Sequence, residues 1–274
     1  MLLKRTLVAV LLLPIGLAVI YLGGWYFTVL VAFILLLAGY EFVALFRETG
    51  YQPSLWITLA AILLFVLGRA LTGFASSPWM LSLLILVSMA YHLISFERGR
   101  DQAGTDLGMT LSSSLYIGWL GAYLISLREI SDGLWWVLLV LSSVWLADIG
   151  AYMVGRLIGR HKMTPRLSPG KSWEGYLAGI LVSTIGVTLL ALLFQNLAAA
   201  GTGINPIRGA ILGFTISVLS ILGDLGASMI KRQVGKKDSG NILPGHGGAF
   251  DRIDSWLWAG VIGYYMISML FSVV

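Results

Sequence analysis

Cysteine is absent from this 274-residue chain, and charged residues make up only 11% of it. Without cysteine the protein has no disulfide framework, no thiolate metal site and no cysteine nucleophile. An ordinary soluble domain is about 25% charged. The low charge, together with 58% hydrophobic residues, therefore excludes a typical soluble protein. The sequence also lacks low-complexity segments, long linkers and any obvious internal repeat.

Apolar runs of membrane-spanning length recur from one end of the chain to the other. They predict an all-α polytopic membrane protein with about nine transmembrane helices, since about 20 apolar residues in a helix cross a bilayer. The first run follows Lys4 and Arg5 and is too long for a typical signal-peptide core, so we interpret it as a retained helix. The approximate spans are 6–23, 25–45, 55–75, 78–96, 108–127, 133–154, 174–197, 206–230 and 255–273.

The basic residues predict an orientation for these helices. With nine spans, all but three of the 18 basic residues fall on the side of the N-terminus. The positive-inside rule makes that side cytoplasmic. Arg128 and Arg208 fall on the other side, and Arg69 lies within the third span. We therefore expect the N-terminus inside and the C-terminus outside.

Ten of the fifteen basic residues on that side lie between Arg156 and Arg252, beside glycines and aspartates. Membrane orientation alone does not explain this concentration. The sequence therefore predicts a functional division of the chain. Residues 1–130 form a scaffold of lipid-facing helices, and residues 131–274 supply further helices with catalytic loops on the cytoplasmic side.

The first polar region lies in the sixth apolar run. Asp148, Tyr152, Gly155 and Gly159 are spaced 4, 3 and 4 residues apart, so they share one helix face. We interpret Gly155 and Gly159 as a packing seam between helices. A carboxylate costs about 2.5–3.5 kcal/mol near the centre of a membrane helix. Asp148 is therefore expected to face a polar cavity.

The loop that follows this run, residues 165–175, carries Ser168, Lys171 and Ser172. Ser172 is a plausible N-cap of the next helix, and a helix N-terminus favours an anion. The Gly-Lys-Ser at residues 170–172 lacks the first glycine of the Gly-x4-Gly-Lys-Ser motif. A P-loop is therefore excluded.

The second polar region runs from the eighth apolar run to the ninth. Asp224, Ser228 and Lys231 share a helix face, and one alternative is a direct Asp224–Lys231 ion pair. Asp251 and Asp254 lie one turn apart at the start of the last helix, where carboxylates ordinarily only stabilise the helix dipole. With Asp224 they make three carboxylates that can converge, and such a cluster needs a cation or protons to neutralise it.

A basic and glycine-rich loop connects these aspartates. Four basic residues precede a Pro-Gly-His-Gly-Gly turn. Lysine and arginine bind phosphates, glycines let backbone amides approach them, and clustered aspartates bind a hard divalent cation. The loop therefore predicts an enzyme that handles a polyphosphate at the membrane surface. We interpret His246 as a hydrogen-bonding or phosphate-contacting residue and not a zinc ligand, and Glu41 is a weaker candidate for the same cavity.

Residues 228–254 resemble the signature of the phosphatidate cytidylyltransferase family, also called CDP-diacylglycerol synthases. Residues 148–175 resemble the family's Asp-x-x-Ala-Tyr and Ser-Pro-x-Lys-x-x-Glu-Gly elements, although Gly170 stands where a second lysine is common. The matching signature residues are Ser228, Lys231, Arg232, Lys237, Asp238, Gly240, Pro244, His246, Gly247, Gly248, Asp251, Arg252, Ile253 and Asp254.

The resemblance implies that the chain is a nucleotidyltransferase of phospholipid biosynthesis. CTP and phosphatidate would give CDP-diacylglycerol and pyrophosphate. Magnesium is assigned to Asp224, Asp251 and Asp254, and a second, monovalent cation, potassium, is expected near them. The implied catalytic residues are Asp224, Lys231, Asp251, Arg252 and Asp254. The implied substrate-binding residues are Asp148, Ser168, Lys171, Ser228, Arg232, Lys237, Asp238, His246, Gly247 and Gly248.

The expected partners are CTP, phosphatidate and membrane lipid, without nucleic acid, and a homodimer is left open. The expected location is the inner or plasma membrane, with the active site facing the cytoplasm. Two other classes remain open. A CTP-dependent polyprenol or phytol kinase would phosphorylate an alcohol, and a transporter would use Asp148 and Asp224 for ion coupling, with polar groups nearer the membrane midplane. CDP-alcohol phosphotransferases are excluded because their Asp-Gly-x-x-Ala-Arg motif is absent.

Overall fold

The structure, a computed structural model, describes residues 13–198, 203–240 and 247–272. Helices dominate these residues. Two π-helical segments, Ser114–Trp119 and Met266–Leu270, each follow directly on an α-helix. The α-helices are α1 Leu13–Leu22, α2 Gly24–Arg47, α3 Leu55–Thr72, α4 Ser77–Glu97, α5 Ala103–Ser113, α6 Tyr123–Glu129, α7 Gly133–Ile158, α8 Trp173–Leu197, α9 Pro206–Leu219, α10 Ile221–Gln233 and α11 Phe250–Tyr265.

Seven helical segments in the described residues are long and apolar enough to cross a membrane. This confirms the helical, polytopic character of the chain, while the count of nine and the orientation stay predictions. The first predicted span is described only from Leu13 onward, and the last begins in a helix that opens on charged residues. The seven segments are Gly24–Arg47, Leu55–Thr72, Ser77–Glu97, Ala103–Glu129, Gly133–Ile158, Trp173–Leu197 and Pro206–Gln233.

A β-hairpin departs from the all-α prediction. Strands β1 (Lys162–Thr164) and β2 (Ser168–Ser172) pair antiparallel in a segment predicted to be a loop. Pro165, Pro169 and Gly170 disfavour a helix here, and neighbouring strands satisfy the backbone hydrogen bonds instead. Ser168 and Lys171 therefore lie on a strand.

The described residues fall into two compact units. The first unit takes its residues from Met1–Ser126 and Ile230–Ile253, and the second from Leu127–Met229 and Asp254–Val274. The described residues of the basic loop after α10 thus belong to the same unit as the N-terminal helices. The predicted functional division at residue 130 stays a prediction.

In the first unit, α2 and α3 approach each other, and the π-helical segment Ser114–Trp119 approaches α3, through glycines. Gly39 of α2 and Gly118 of this segment both face Ile62 of α3. A Cβ atom at Gly118 would lie 3.0 Å from the Ile62 Cα, so a larger residue would push the helices apart. Ile62 is fully buried, so these close approaches lie in the core of the first unit.

In the second unit, α7, α8 and α9 also pack through small residues. The predicted packing role of Gly155 and Gly159 is confirmed, because a Cβ atom at either position would press on Ser172 at the start of α8. Ser183 of α8 donates a hydrogen bond of 2.9 Å to the carbonyl oxygen of Ser143 on α7. These contacts hold the hairpin's end and the N-terminus of α8 against α7.

Candidate active site

The predicted polar residues form two groups, each within its own unit. We name the group in the first unit the Asp251 cluster, and the group in the second unit the Asp224 cluster. The Asp251 cluster consists of Glu41, Lys231, Ser239, Gly248, Phe250 and Asp251, and the Asp224 cluster consists of Lys171, Asp224 and Ser228.

The Asp251 carboxylate is held by an ion pair and by backbone amides. Lys231 Nζ donates to Asp251 Oδ1 at 2.5 Å, and the two side chains are 11% and 7% exposed. Asp251 Oδ2 accepts from the amides of Ser239 at 2.8 Å and Gly248 at 3.1 Å. Burial raises the pKa of the Asp251 carboxyl, but Lys231 and the two amides together lower it by more than burial raises it. The pKa therefore lies below its ordinary value. The group is therefore a fixed carboxylate.

The glycines of the Gly-Gly pair before α11 make this arrangement sterically feasible. Gly247 has a φ of +80°, and a Cβ atom there would lie 3.1 Å from Asp251 Oδ2. Both features favour glycine. A Cβ atom at Gly248 would overlap Ser239 Oγ and Glu41 Oε2. The two glycines thus let the backbone close over the carboxylates.

Glu41 is a full member of the Asp251 cluster although the sequence indicated it only as a weaker candidate, and Ser239 and Phe250 were not predicted at all. Glu41 lies on α2, is 2% exposed, and its Oε2 accepts from Ser239 Oγ and from the Phe250 amide, both at 2.9 Å. A carboxylate within an apolar run was the available signal, since such a group needs a partner. The sequence could not identify that partner.

The Asp224 cluster forms where the hairpin meets α10. Lys171 Nζ of β2 donates to Asp224 Oδ2, and Ser228 Oγ donates to Asp224 Oδ1 at 3.4 Å. The Lys171 and Asp224 side chains are 24% and 36% exposed. The alternative of an Asp224–Lys231 pair is therefore wrong, because each of these residues has a different partner. Gly170 stands where a second lysine is common in the family, so Lys171 is the lysine that remains there. It is this residue that pairs with Asp224.

Helix α11 is divided between the two units, and Asp254 is its first residue in the second unit. The Asp254 side chain is buried, and its Oδ1 accepts from the Ser255 amide at 2.6 Å. Gly223, next to Asp224, faces the Asp254 backbone carbonyl with no room for a Cβ atom. Within the second unit, α10 and α11 therefore pack closely at this point. Asp251 and Asp254 are one turn apart on α11 and share a helix face.

The remaining predicted residues have varied surroundings. Ser172 is confirmed as the N-cap of α8, since its Oγ accepts from the Gly175 amide at 3.3 Å. Ser168 is half-buried at the start of β2 and pairs with Thr164. His246 lies outside the described residues. The other predicted site residues in this group are exposed: Asp148, Arg232, Lys237, Asp238 and Arg252.

Carboxylate oxygens such as those of the two clusters are suitable ligands for a magnesium ion. Within residues 13–198, 203–240 and 247–272, no group of three or more histidine, aspartate and glutamate side chains is placed to hold a metal ion. Magnesium at polyphosphate sites takes one or two carboxylates and fills its remaining positions with phosphates and water. Asp224 and Asp251 each supply such a carboxylate. Either carboxylate by itself would suit a magnesium ion that arrives with a nucleotide, and the described residues do not form an all-protein cage.

The fold and the two clusters define a helical membrane protein with lysine–carboxylate pairs at its polar loops. Residues 3–270 match the Cytidylyltransferase family, and the chain belongs to this family. A phosphatidate cytidylyltransferase from Pseudomonas aeruginosa is 36% identical over 264 residues, which are 93% of each chain. The one from Staphylococcus saprophyticus is 36% identical over 261 residues, covering 93% of this chain and 94% of that protein. A third, from Synechocystis sp., is 29% identical over 99% of this chain and 98% of its own length. The resemblance found in the sequence is thereby confirmed.

Proposed function

We propose that this protein transfers the cytidylyl group of CTP to phosphatidate, giving CDP-diacylglycerol and pyrophosphate for phospholipid biosynthesis. The full-length match to the family and to relatives that carry this activity in their names supports the proposal. The ion pair of Lys231 and Asp251 adds support, because both residues belong to the signature segment. We propose that the protein acts in the cell's inner or plasma membrane with this segment facing the cytoplasm.

The chemistry asks little covalent work of the protein. A phosphate oxygen of phosphatidate attacks the α-phosphorus of CTP, and the bond to the oxygen that bridges to the β-phosphorus breaks, so pyrophosphate leaves with that oxygen. The attacking phosphate is already anionic, so no side chain needs to remove a proton from it. Catalysis then depends on orientation and on charge neutralisation. Clusters of lysines, amides and carboxylates are suited to both tasks.

We propose magnesium as the cofactor, with Asp224, Asp251 and Asp254 as its carboxylate donors. When bound, it would offset charge on the triphosphate oxygens and on the leaving pyrophosphate. Potassium remains the proposed second cation on the basis of the resemblance alone. Asp251 is already fixed by Lys231, Ser239 and Gly248, so the chain presents this oxygen donor in a set orientation.

The phosphate groups are proposed to bind basic side chains of the same segment. Lys231 lies beside Asp251, while Arg232, Lys237 and Arg252 are exposed and can reach a nucleotide from solvent. On the other unit, Lys171 beside Asp224 supplies a further cation. The substrate-binding set is completed, as a proposal, by Asp148, Ser168, Ser228, Asp238, His246, Gly247 and Gly248.

An assay with the purified protein separates this function from the kinase and the transporter. With labelled CTP and magnesium, we expect cytidine in a lipid product and one pyrophosphate released per turnover, only when phosphatidate is present. A polyprenol or phytol kinase would instead release CDP when an isoprenoid alcohol is supplied. Neither product would form with a transporter. A diacylglycerol control, which lacks the phosphate, should give no product.

Cysteine labelling tests the proposed orientation in this naturally cysteine-free chain. Gln233→Cys places a thiol at the exposed end of α10, and Ala75→Cys places one in the exposed turn between α3 and α4. A membrane-impermeant maleimide applied to intact cells should label Ala75→Cys and should label Gln233→Cys only after the membrane is opened. The reverse pattern would contradict the orientation and with it the access of cytoplasmic CTP.

A further inference from the structure

Glu41 connects an apolar helix to both ends of the signature loop. Its Oε2 accepts a hydrogen bond from Ser239 Oγ, which precedes the loop's glycines, and one from the Phe250 amide, which follows them. Phe250 is the first residue of α11, so its amide is one of those that a helix leaves without an internal partner. A single carboxylate oxygen on α2 therefore binds a residue on each side of the loop and caps α11.

Ser239 relays this contact to Asp251. Its Oγ lies 2.9 Å from Glu41 Oε2 and 3.0 Å from Asp251 Oδ2, but a hydroxyl has one proton to donate. Asp251 Oδ2 already accepts from the amides of Ser239 and Gly248. The hydroxyl proton is therefore best used by Glu41, and the Ser239 amide by Asp251. Ser239 thus binds both carboxylates, Glu41 through its hydroxyl and Asp251 through its backbone amide.

The loop residues around Glu41 are shaped to admit its carboxylate. A Cβ atom at Gly240 would lie 2.6 Å from Glu41 Oε1, and one at Gly248 would overlap Oε2. The rings of Phe42 and Phe250 pack edge to face at 5.5 Å beside it. The apolar surroundings strengthen each hydrogen bond to the carboxylate and make a misplaced carboxylate costly.

We propose that Glu41 is a positioning residue of the cytidylyl transfer. It acts through Ser239 and Phe250 to hold the first turn of α11, and so the Asp251 carboxylate, in its working orientation, and it does not touch the substrates. The inference rests on the proposed function, because the role of Asp251 comes from that function. Both hydrogen bonds reach the same oxygen, so the required property is an acceptor at that point and not a negative charge.

Three variants test this role through kcat. Glu41→Gln keeps an acceptor oxygen, so its kcat should stay within about threefold of the wild type. Glu41→Ala removes the acceptor and should lower kcat by about 10–100-fold, since a displacement of about 1 Å at a reacting group can cost that much. KM for CTP and for phosphatidate should change by less than about twofold. Ser239→Ala should lower kcat by about tenfold and should have no further effect in Glu41→Ala, since coupled residues are not additive.

A matched control separates positioning from a general weakening of α2. Thr28→Val removes a different buried polar group of α2. The Thr28 hydroxyl donates to the Gly24 carbonyl oxygen of the same helix, so its loss breaks no contact with the loop or with α11. The kcat of this variant should equal that of the wild type. Wild-type turnover in Glu41→Ala, or a loss in Glu41→Gln as large as in Glu41→Ala, would overturn the proposal. If Glu41→Ala does not fold, Ser239→Ala decides the question, because normal turnover in that variant also overturns it.

Hydrogen exchange provides a readout that does not depend on the reaction. Backbone amides in residues 247–253 should exchange at least about tenfold faster in Glu41→Ala than in the wild type or Thr28→Val, because the bonds that hold them are lost. Equal exchange would refute the connection from Glu41 to α11. A wild-type protein that forms no CDP-diacylglycerol would refute the proposed function. Faster exchange in Glu41→Ala than in that wild type would still establish the connection from Glu41 to α11.

Discussion

Asp251→Asn is expected to lower turnover by about a hundredfold or more at saturating magnesium and substrates. Asparagine keeps the size of the side chain but removes the charge that the proposed metal and the developing phosphate charge require. Its NH2 group would also face either Lys231 Nζ or the backbone amides of Ser239 and Gly248, all of which donate to the carboxylate in the wild type. In both orientations two donors would meet where a donor and an acceptor now pair.

The same substitution should also lower stability, which the sequence alone did not lead us to expect. A cluster of carboxylates predicts relief of repulsion when one charge is removed. In the structure Asp251 is paired with a lysine whose side chain is only 11% exposed. Removing one partner of a buried ion pair costs about 3–5 kcal/mol, so the melting temperature should fall clearly.

The stability loss and the turnover loss can be separated. Adding Lys231→Met to Asp251→Asn removes the unpaired ammonium and should recover most of the melting temperature, while turnover stays low. Asp101→Asn, an exposed carboxylate in the turn before α5, serves as the control and should change neither quantity. Turnover within tenfold of the wild type in Asp251→Asn, measured well below its melting temperature, would contradict the assignment of Asp251.

The features that the sequence predicted correctly are local in the chain. Apolar runs define the helices because a membrane helix shows itself in about 20 consecutive residues. Ser172 was identifiable as an N-cap because the signal is a serine directly before a helix. Gly155 and Gly159 were identifiable as a packing seam because they recur at helical spacing. Each inference needs only a few neighbouring residues.

The features that the sequence could not supply depend on partners far apart in the chain. Lys171 and Asp224 are 53 residues apart, and Glu41 and Ser239 are 198 apart. Lysine has a long flexible side chain, so its spacing along the chain says little about which carboxylate it meets. The hairpin at residues 162–172 was missed because strands of three and five residues are too short to show an alternating pattern.

Glu41 shows where the two kinds of inference meet. Its position in an apolar run predicted that it would need a polar partner, and the signature loop was recognised independently. Nothing in the sequence joins the two, because a carboxylate can be satisfied by many donors. The packing of α2 against the start of α11 brings them together. The sequence therefore identified most residues of the candidate site, and the structure supplied their pairing.

Asp224→Asn should lower turnover as strongly as Asp251→Asn, by about a hundredfold, but with a much smaller loss of stability. Its ion pair with Lys171 has side chains that are 24% and 36% exposed, so water solvates both charges when the pair is broken. Exposed pairs contribute about 0–1 kcal/mol. The melting temperature of Asp224→Asn should therefore stay close to that of the wild type.

Comparing the two aspartates makes the test specific. A residue that matters only through folding would show turnover and stability falling together, whereas a carboxylate that acts in catalysis loses turnover whatever its burial. Lys171→Met provides the partner control: it breaks the same ion pair and should match the small stability change of Asp224→Asn. If Asp224→Asn kept normal turnover, or if its turnover fell only as far as its folded fraction, Asp224 would be a structural partner of the hairpin and not a metal-binding carboxylate.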